Sequence, residues 1–238
     1  MGYIDLHSHV LPALDDGADS AEATRSMLAG LARLGFETVA ATPHQKAGQF
    51  LPSLEAVGAA FERSRVTAGE LGLRLALAAE NFWDDVLFDR WRAGTIPSYD
   101  GGRAFLFEIP TEELPMRMEE TLFQMVLGGK LPVMAHPERY RPYWNDTDRL
   151  ARLGQQVALV VDLGAVGGYH GWGVSRAARR LCADRIAHAA ASDVHAPSDT
   201  AAAAAGIAWI KKKLGPDAAR RLLDENPRAI LAGQLPEA

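Results

Sequence analysis

The chain of 238 residues is 48% hydrophobic and 23% charged, with a formal net charge of -5. That composition supplies a full core, excludes a disordered or collagen-like chain, and disfavours a nucleic-acid partner, which needs basic patches. Cys182 is the only cysteine, excluding an intrachain disulfide and a thiolate zinc cluster. No apolar run approaches bilayer length and no signal-peptide core precedes Asp5, so the expectation is one domain over residues 1–238, cytoplasmic and not integral to a membrane.

Residues 4–9 read as the first strand. Side-chain direction repeats every two residues along a strand, so Asp5, His7 and His9 share one face. Two neutral imidazoles buried side by side cost desolvation unless each finds a partner. A divalent cation accepting both ring nitrogens suits this spacing; an ordinary satisfied pair is the alternative. Asp5 either fixes the tautomer of one of these imidazoles or makes a solvent contact at the strand start.

A loop follows, and Ser20 caps an amphipathic helix that runs to Leu34 and stops at Gly35. Residues 38–42 form a buried strand delivering His44, and a helix covers 53–71. A third strand, 74–79, exits at Glu80, and the irregular stretch 81–102 holds a short helix with Trp83, Phe88 and Trp91. Strand four, 104–107, ends in Glu108 and precedes a helix over 116–128; strand five, 131–135, ends in His136. A helix near 148–154 leads to strand six, 158–163, and then to a glycine-rich loop through Gly173 that carries His170 and borders the strand ends. Helix 174–183 precedes strand seven, 185–191, which exits into Ser192-Asp193-Val194-His195; helices from Ser198 and Pro216 complete the pattern.

Seven mostly apolar strands alternating with helices imply a parallel sheet covered on both faces. Without a Gly-x-Gly-x-x-Gly turn after the first strand, the expectation is an α/β fold of the distorted seven-stranded (β/α) TIM-like barrel type, with chemistry at the C-terminal strand ends. The polar exits are His7, His9, His44, Glu80, Glu108, His136, Asp193 and His195, which include five of the seven histidines. His188 falls inside strand seven as a packing residue. Imidazoles and carboxylates without thiolate suit Mn, Fe or Zn, and these ligands exceed one ion's shell, so two or three divalent ions share them with Glu80 as a bridge.

Asp5-Leu-His-Ser-His9, Leu14-Asp-Asp-Gly17, Ala41-Thr-Pro-His44, Ala79-Glu80, Phe107-Glu108, Ala135-His-Pro-Glu-Arg-Tyr140, Ala191-Ser-Asp-Val-His195 and Glu225-Asn-Pro-Arg228 together resemble the polymerase and histidinol phosphatase (PHP) superfamily. Within it the chain most resembles the bacterial manganese-dependent protein-tyrosine phosphatases of capsule and exopolysaccharide gene clusters. The resemblance implies a trinuclear site: His7, His9, Glu80 and Asp193 for one ion, Glu80, Glu108 and His136 for a second, Asp16, His44 and His195 for a third. Asp16 enters only in this way, since a loop carboxylate is otherwise a turn residue. The resemblance also gives Arg139 the phosphate oxygens, a role that a guanidinium fits bidentately, with an ion pair to Glu138 as the alternative. Where relatives carry another arginine after His195, this chain has Ala196-Pro-Ser-Asp-Thr-Ala and none, so Lys46 or Arg141 compensates or the substrate differs.

The function implied is phosphomonoester hydrolysis by metal-activated hydroxide, with Arg139 and His44 as catalytic candidates and Lys46 beside Arg139 on the substrate. The substrate implied is the phosphotyrosine tail of a bacterial tyrosine kinase controlling polysaccharide export. A histidinol-phosphate type of small-molecule phosphatase, a PHP nuclease, an amidohydrolase-like barrel and a non-catalytic scaffold are the alternatives.

Overall fold

In the computed structural model, which describes residues 2–238, nine strands follow one another along the chain. They are β1 (Tyr3–Asp5), β2 (Phe36–Ala41), β3 (His44–Gln45), β4 (Arg74–Leu77), β5 (Glu80–Phe82), β6 (Ala104–Glu108), β7 (Leu131–Ala135), β8 (Ala158–Asp162) and β9 (Ala189–Ala191). Every ladder between them is parallel: one sheet has the order β1-β2-β4 and the other β3-β5-β6-β7-β8-β9.

Two parallel sheets therefore stand where seven strands in one barrel were expected. The second and third expected strands stop early, after Ala41 and after Leu77, and each is followed by a separate short strand, β3 or β5, where only a strand exit was expected. Pro43 has no N–H and cannot donate to a ladder, so β2 ends just before it. Isolated hydrogen bonds carry the pairing across the break, from Ala78 N to the Ala41 carbonyl (2.9 Å) and from Glu80 N to the Pro43 carbonyl (3.1 Å). The first strand also ends early, at Asp5, yet residues 6–9 stay bonded to the ends of other strands. Asp193 N donates to the His7 carbonyl (2.9 Å), His9 N to the Val194 carbonyl (3.0 Å) and Thr42 N to the Ser8 carbonyl (2.9 Å). With a parallel bridge between Ser8 and Val194, this segment joins the two sheets.

Alternation decides how the strands are buried. Ile4, Leu6, Ala40, Ala76, Ala78, Leu106, Val133, Val160, Ala189 and Ala191 form one inner cluster closed by Tyr99, whose hydroxyl donates to the Leu6 carbonyl (2.8 Å). Their neighbours Val39, Leu75, Phe105, Phe107, Met134, Leu159, Val161 and Ala190 face the other way, into a larger cluster shared with the helices.

The helices are α1 (Ala21–Leu34), α2 (Leu54–Glu70), α3 (Asp85–Ala93), α4 (Met118–Leu127), α5 (Thr147–Leu153), α6 (Leu163–Gly167), α7 (Trp172–Ala183), α8 (Thr200–Leu214), α9 (Pro216–Arg220) and α10 (Asn226–Leu231). Ser20 caps α1 by accepting from Ala23 N (3.2 Å), and Gly35 ends it with φ 97°, as the sequence indicated. The expected glycine-rich loop after β8 instead opens with α6, because Asp162 accepts from Gly164 N (2.6 Å) and caps it. Glycines on both sides serve close packing: a Cβ on Gly206 of α8 would collide with the Leu163 carbonyl and one on Gly167 of α6 with the Ala202 carbonyl, so the α6 and α8 backbones approach directly. Among the described residues, no helix is long and apolar enough to cross a membrane.

Candidate metal centre

The segment that joins the sheets also brings the two N-terminal imidazoles to the strand ends. His7 Nε2 and His9 Nε2 lie 3.1 Å apart. Glu80, at the start of β5, reaches both: its Oε2 is 3.3 Å from His7 Nε2, 3.5 Å from His9 Nε2 and 2.9 Å from His44 Nδ1, while its Oε1 is 2.9 Å from His136 Nε2. Asp193 Oδ1 lies 3.4 Å from His7 Nε2 and 3.6 Å from His9 Nε2. On the outer side, Asp16 Oδ1 is 3.4 Å from His44 Nε2 and 3.6 Å from His195 Nε2, and Glu108 Oε1 is 3.5 Å from His44 Nδ1. All nine expected ligands thus occupy one region.

Four overlapping groups have ligand atoms within 4.8 Å of one another: His9, Asp16, His44 and His195; His7, His136 and Asp193; His7, His9 and Glu80; and His44, Glu80 and Glu108. This differs in detail from the partition the resemblance implies, because His136 groups with His7 and Asp193, and His44 spans two groups. His136 and Asp193 themselves have φ of 35° and 49°, a left-handed backbone uncommon for such residues. Each follows a strand closely, so the chain bends there and turns the side chain across the strand ends.

Whether cations fit can be asked of the donor atoms. Asp193 Oδ1, Glu108 Oε1 and His136 Nδ1 are buried without a hydrogen-bond partner, and Glu80 Oε2 and His44 Nδ1, although 2.9 Å apart, are not aligned for a hydrogen bond to each other. Buried polar atoms are rarely left so, and here several share one region with their lone pairs unmatched by protein donors. Oxygen and imidazole donors of this kind fit divalent ions such as Mn, Fe or Zn.

Protonation responds to the same crowding. Burial would raise the Glu80 carboxyl, but the charge on His7 and the contacts with His136 and His44 outweigh it and hold the group well below the carboxylate range. Burial and the neighbouring Glu80 instead push Glu108 up to about 7. Asp193 is lowered despite its burial, by His7 and Arg139.

Three acids play parts that the sequence reading did not assign. Asp15 Oδ2 accepts from His9 Nδ1 (2.8 Å) and from His44 N (2.9 Å), and its Oδ1 from Gly17 N (3.0 Å). It fixes the His9 tautomer and leaves Nε2 facing the centre. A Cβ on Gly17 would collide with the His9 carbonyl, so glycine lets this turn fold onto the end of the first segment. Asp5, expected on an imidazole or in solvent, accepts instead from Ser192 N (2.8 Å), from the Ser192 hydroxyl and from His7 N (3.4 Å), fastening β1 to the turn that carries Asp193.

Asp162, read only as a strand residue, holds Arg139: its Oδ2 accepts from Arg139 Nη2 (2.6 Å) and lies 2.8 Å from His170 Nε2, which borders the site through it. Arg139 Nη2 also pairs with Asp193. The alternative ion pair to Glu138 is absent, because Glu138 Oε1 accepts from Asp162 N (2.9 Å), and burial beside Asp162 pushes its carboxyl up to about 8.

The cleft over the centre, about 260 Å³, is lined by Asp16, His44, Lys46, Gln49, Phe50, Glu80, Glu108, His136, Arg139, Asp193 and His195. Lys46 is in it, its Nζ 4.1 Å from the centroid of the Phe82 ring, whereas Arg141 pairs with Glu112 (3.0 Å) and lies outside. His188 is a packing residue: its Nδ1 accepts from Leu159 N (3.0 Å) within the core.

Fold and centre together define a parallel α/β protein with overlapping clusters of candidate metal ligands at its strand ends. Over residues 3–232 the chain matches the family described as capsular polysaccharide synthesis, CpsB/CapC, and it belongs to that family. It is 28% identical over 248 residues to the tyrosine-protein phosphatase CpsB of Streptococcus pneumoniae, covering 98% of this chain and 99% of that protein. It is 29% identical over 196 residues to the tyrosine-protein phosphatase YwqE of Bacillus subtilis (strain 168), covering 81% and 77%. A solved structure from work on YwqE and CpsB, described as unique metal-dependent tyrosine phosphatases, superposes with a TM-score of 0.88 at 26% identity, covering 97% of this chain and 95% of that one.

Proposed function

We propose that the protein is a metal-dependent tyrosine-protein phosphatase that hydrolyses phosphotyrosine to tyrosine and phosphate. The observation that carries this reading is the set of buried, unpartnered carboxylate and imidazole atoms gathered beside Arg139 in one cleft, in a chain similar along almost its whole length to metal-dependent tyrosine phosphatases. His7, His9, Asp16, Glu80, Glu108, His136, Asp193 and His195, with His44, hold two or three divalent ions, Mn before Fe or Zn. When bound, such ions acidify water and polarise phosphoryl oxygens.

The chain's own groups do the rest. Arg139, held by Asp162 and Asp193, presents a fixed guanidinium to the phosphoryl oxygens and offsets charge developing in the transition state. Lys46 adds a second positive charge at the cleft and compensates for the arginine that the resemblance leads one to expect after His195. As water adds to phosphorus the ester P–O bond breaks, and the departing phenolate takes a proton from water or from His44 in the cleft wall where a nitrogen of that ring is not taken up by an ion. Phenolate leaves readily, so this proton matters less than for an alkyl ester.

The substrate in this reading is the phosphotyrosine tail of a tyrosine kinase acting in polysaccharide export, which places the enzyme in the cytoplasm. We read the two sheets as one distorted seven-stranded barrel of the PHP type forming a single domain over residues 1–238; the Ser8 bridge to Val194 and the shared inner cluster support it. The test is phosphate release from a phosphotyrosyl peptide by the metal-loaded protein, abolished by chelation. Turnover of histidinol phosphate or single-stranded DNA with the peptide untouched would overturn the reading.

A further inference from the structure

The metal ligands and Arg139 deal with the phosphoryl end of a substrate and leave open what recognises the group esterified to it. Among the described residues lining the cleft, Phe50 is the one with a hydrocarbon side chain. Its half-buried ring lies within 15° of parallel to that of His44, with centroids 5.7 Å apart. We propose that Phe50 is the platform on which the aromatic ring of the ester lies, so that this cleft prefers aryl phosphates to alkyl phosphates. The proposal rests on the phosphatase reading and assigns its substrate preference to one residue.

The position of Phe50 is built, since a short hairpin carries it. Lys46 N donates to the Phe50 carbonyl (2.6 Å) and Phe50 N to the Lys46 carbonyl (3.1 Å), closing a turn in which Gly48 has φ 76°. Asp84 ties that turn down: one carboxylate oxygen accepts from Ala47 N (3.0 Å), while the other caps α3 through Val86 N and Leu87 N (2.9 and 3.2 Å). The Lys46 ammonium rests over the Phe82 ring of β5. The hairpin is thus fastened to β3, β5 and α3, and the ring is in place before any substrate arrives, which lowers the ordering cost of binding.

Geometry and chemistry then select the ester. With phosphorus at the centre, the rest of the substrate must leave through the cleft mouth, and on the His44 side it meets Phe50. A phenyl ring there buries apolar surface against the platform and takes the offset stacking that aromatic pairs favour; a seryl or threonyl carbon has no such face to offer. The bland alternative is that Phe50 only covers the His44 ring, in which case leucine serves equally well.

The experiment uses the full chain loaded with Mn2+, and two peptides of identical sequence carrying phosphotyrosine or phosphoserine. Phenylphosphonate and methylphosphonate, which are not hydrolysed, report binding by calorimetry. In Phe50→Leu and Phe50→Ala the ratio of kcat/KM for phosphotyrosine to that for phosphoserine falls about tenfold, mostly through KM for the aryl ester. The preference for phenylphosphonate over methylphosphonate falls by a similar factor, and Phe50→Trp restores both. Should Phe50→Ala fail to fold, the Leu and Trp variants carry the comparison. Ratios unchanged in Phe50→Leu overturn the platform and leave the phosphatase reading standing; hydrolysis of neither peptide by the native protein overturns both.

Discussion

His9 shows how much of the centre depends on a neighbour that is not itself a ligand. Asp15 holds its Nδ1, and burial, which would raise that carboxyl, is outweighed by His9 and backbone N–H groups that bring it to about 2. Asp15→Asn keeps the size but removes the charge that orients the imidazole, so Mn2+ affinity falls about 10- to 100-fold, measured by calorimetry, with the fold retained by circular dichroism. His188 offers a prediction of a different kind. Burial, with the positive Arg221 nearby, brings its pKa from the ordinary 6.5 to about 4, and protonation would remove the Nδ1 lone pair that accepts from Leu159 N. Between those values the unfolded chain binds the proton and the folded one does not. Stability from this group is therefore whole above about pH 6.5, declines as pH falls and is fully lost below about 4, on the order of 3 kcal/mol in all. Denaturant titrations across that range check it: in His188→Gln the dependence is shallower by nearly one proton. At this scale the candidate ligands other than Asp16 were legible because strand periodicity fixed which residues follow each apolar run, while Asp16 came only from the family resemblance. Asp15 and Asp162 were not, since each acts through a contact made when a turn or a neighbouring strand closes up, and nothing in the local pattern separates them from Asp16 or an ordinary strand end.

Among the elements, α6 was hidden by its composition. Gly164, Gly167 and Gly168 read as a flexible loop, yet the small residues let a short helix press on α8 with almost no side chain between them. Gly206→Ala drives a methyl group into the Leu163 carbonyl and should cost about 3 kcal/mol, seen as a lower thermal midpoint. Because Asp162 caps α6, the displacement also loosens the grip on Arg139, and KM for a phosphorylated substrate rises in the same variant. The broken strands have a comparable origin. Thr38-Val-Ala-Ala-Thr42 has the composition of one strand, and only Pro43 announces that the ladder stops there; nothing so plain marks the break after Leu77. The stretch 81–102 resolves into α3 and a turn of 3-10 helix at Tyr99–Gly101, with Asp84 as the cap that aspartate before a helical run leads one to expect.

For the molecule as a whole, the charge held at the strand ends sets the energetics. Glu80 is 1% exposed, and buried carboxylates packed together are tolerable only with positive charge among them. Divalent ions that bind the folded chain and not the unfolded one stabilise it by mass action, by about 2.7 kcal/mol per site at a hundredfold excess over Kd. Chelation should thus lower the unfolding midpoint by several degrees and readdition of Mn2+ restore it, with a smaller recovery in His136→Ala; a midpoint indifferent to chelation in calorimetry counts against a shared metal centre. The alternation of strands and helices was readable at this scale, and so was the parallel direction. The division into two sheets was not, because it depends on where backbone hydrogen bonds lapse rather than on which side chains are apolar.

The bonds from residues 6–9 to Asp193 and Val194 join segments far apart in the sequence. A ribosome releases His7 and His9 well before Asp193 and His195, so until those later residues emerge the early imidazoles have no complete set of neighbours around them. The full set of candidate ligands therefore assembles only after residue 195 has emerged, and a nascent chain interrupted before it lacks the groups that would surround His7 and His9.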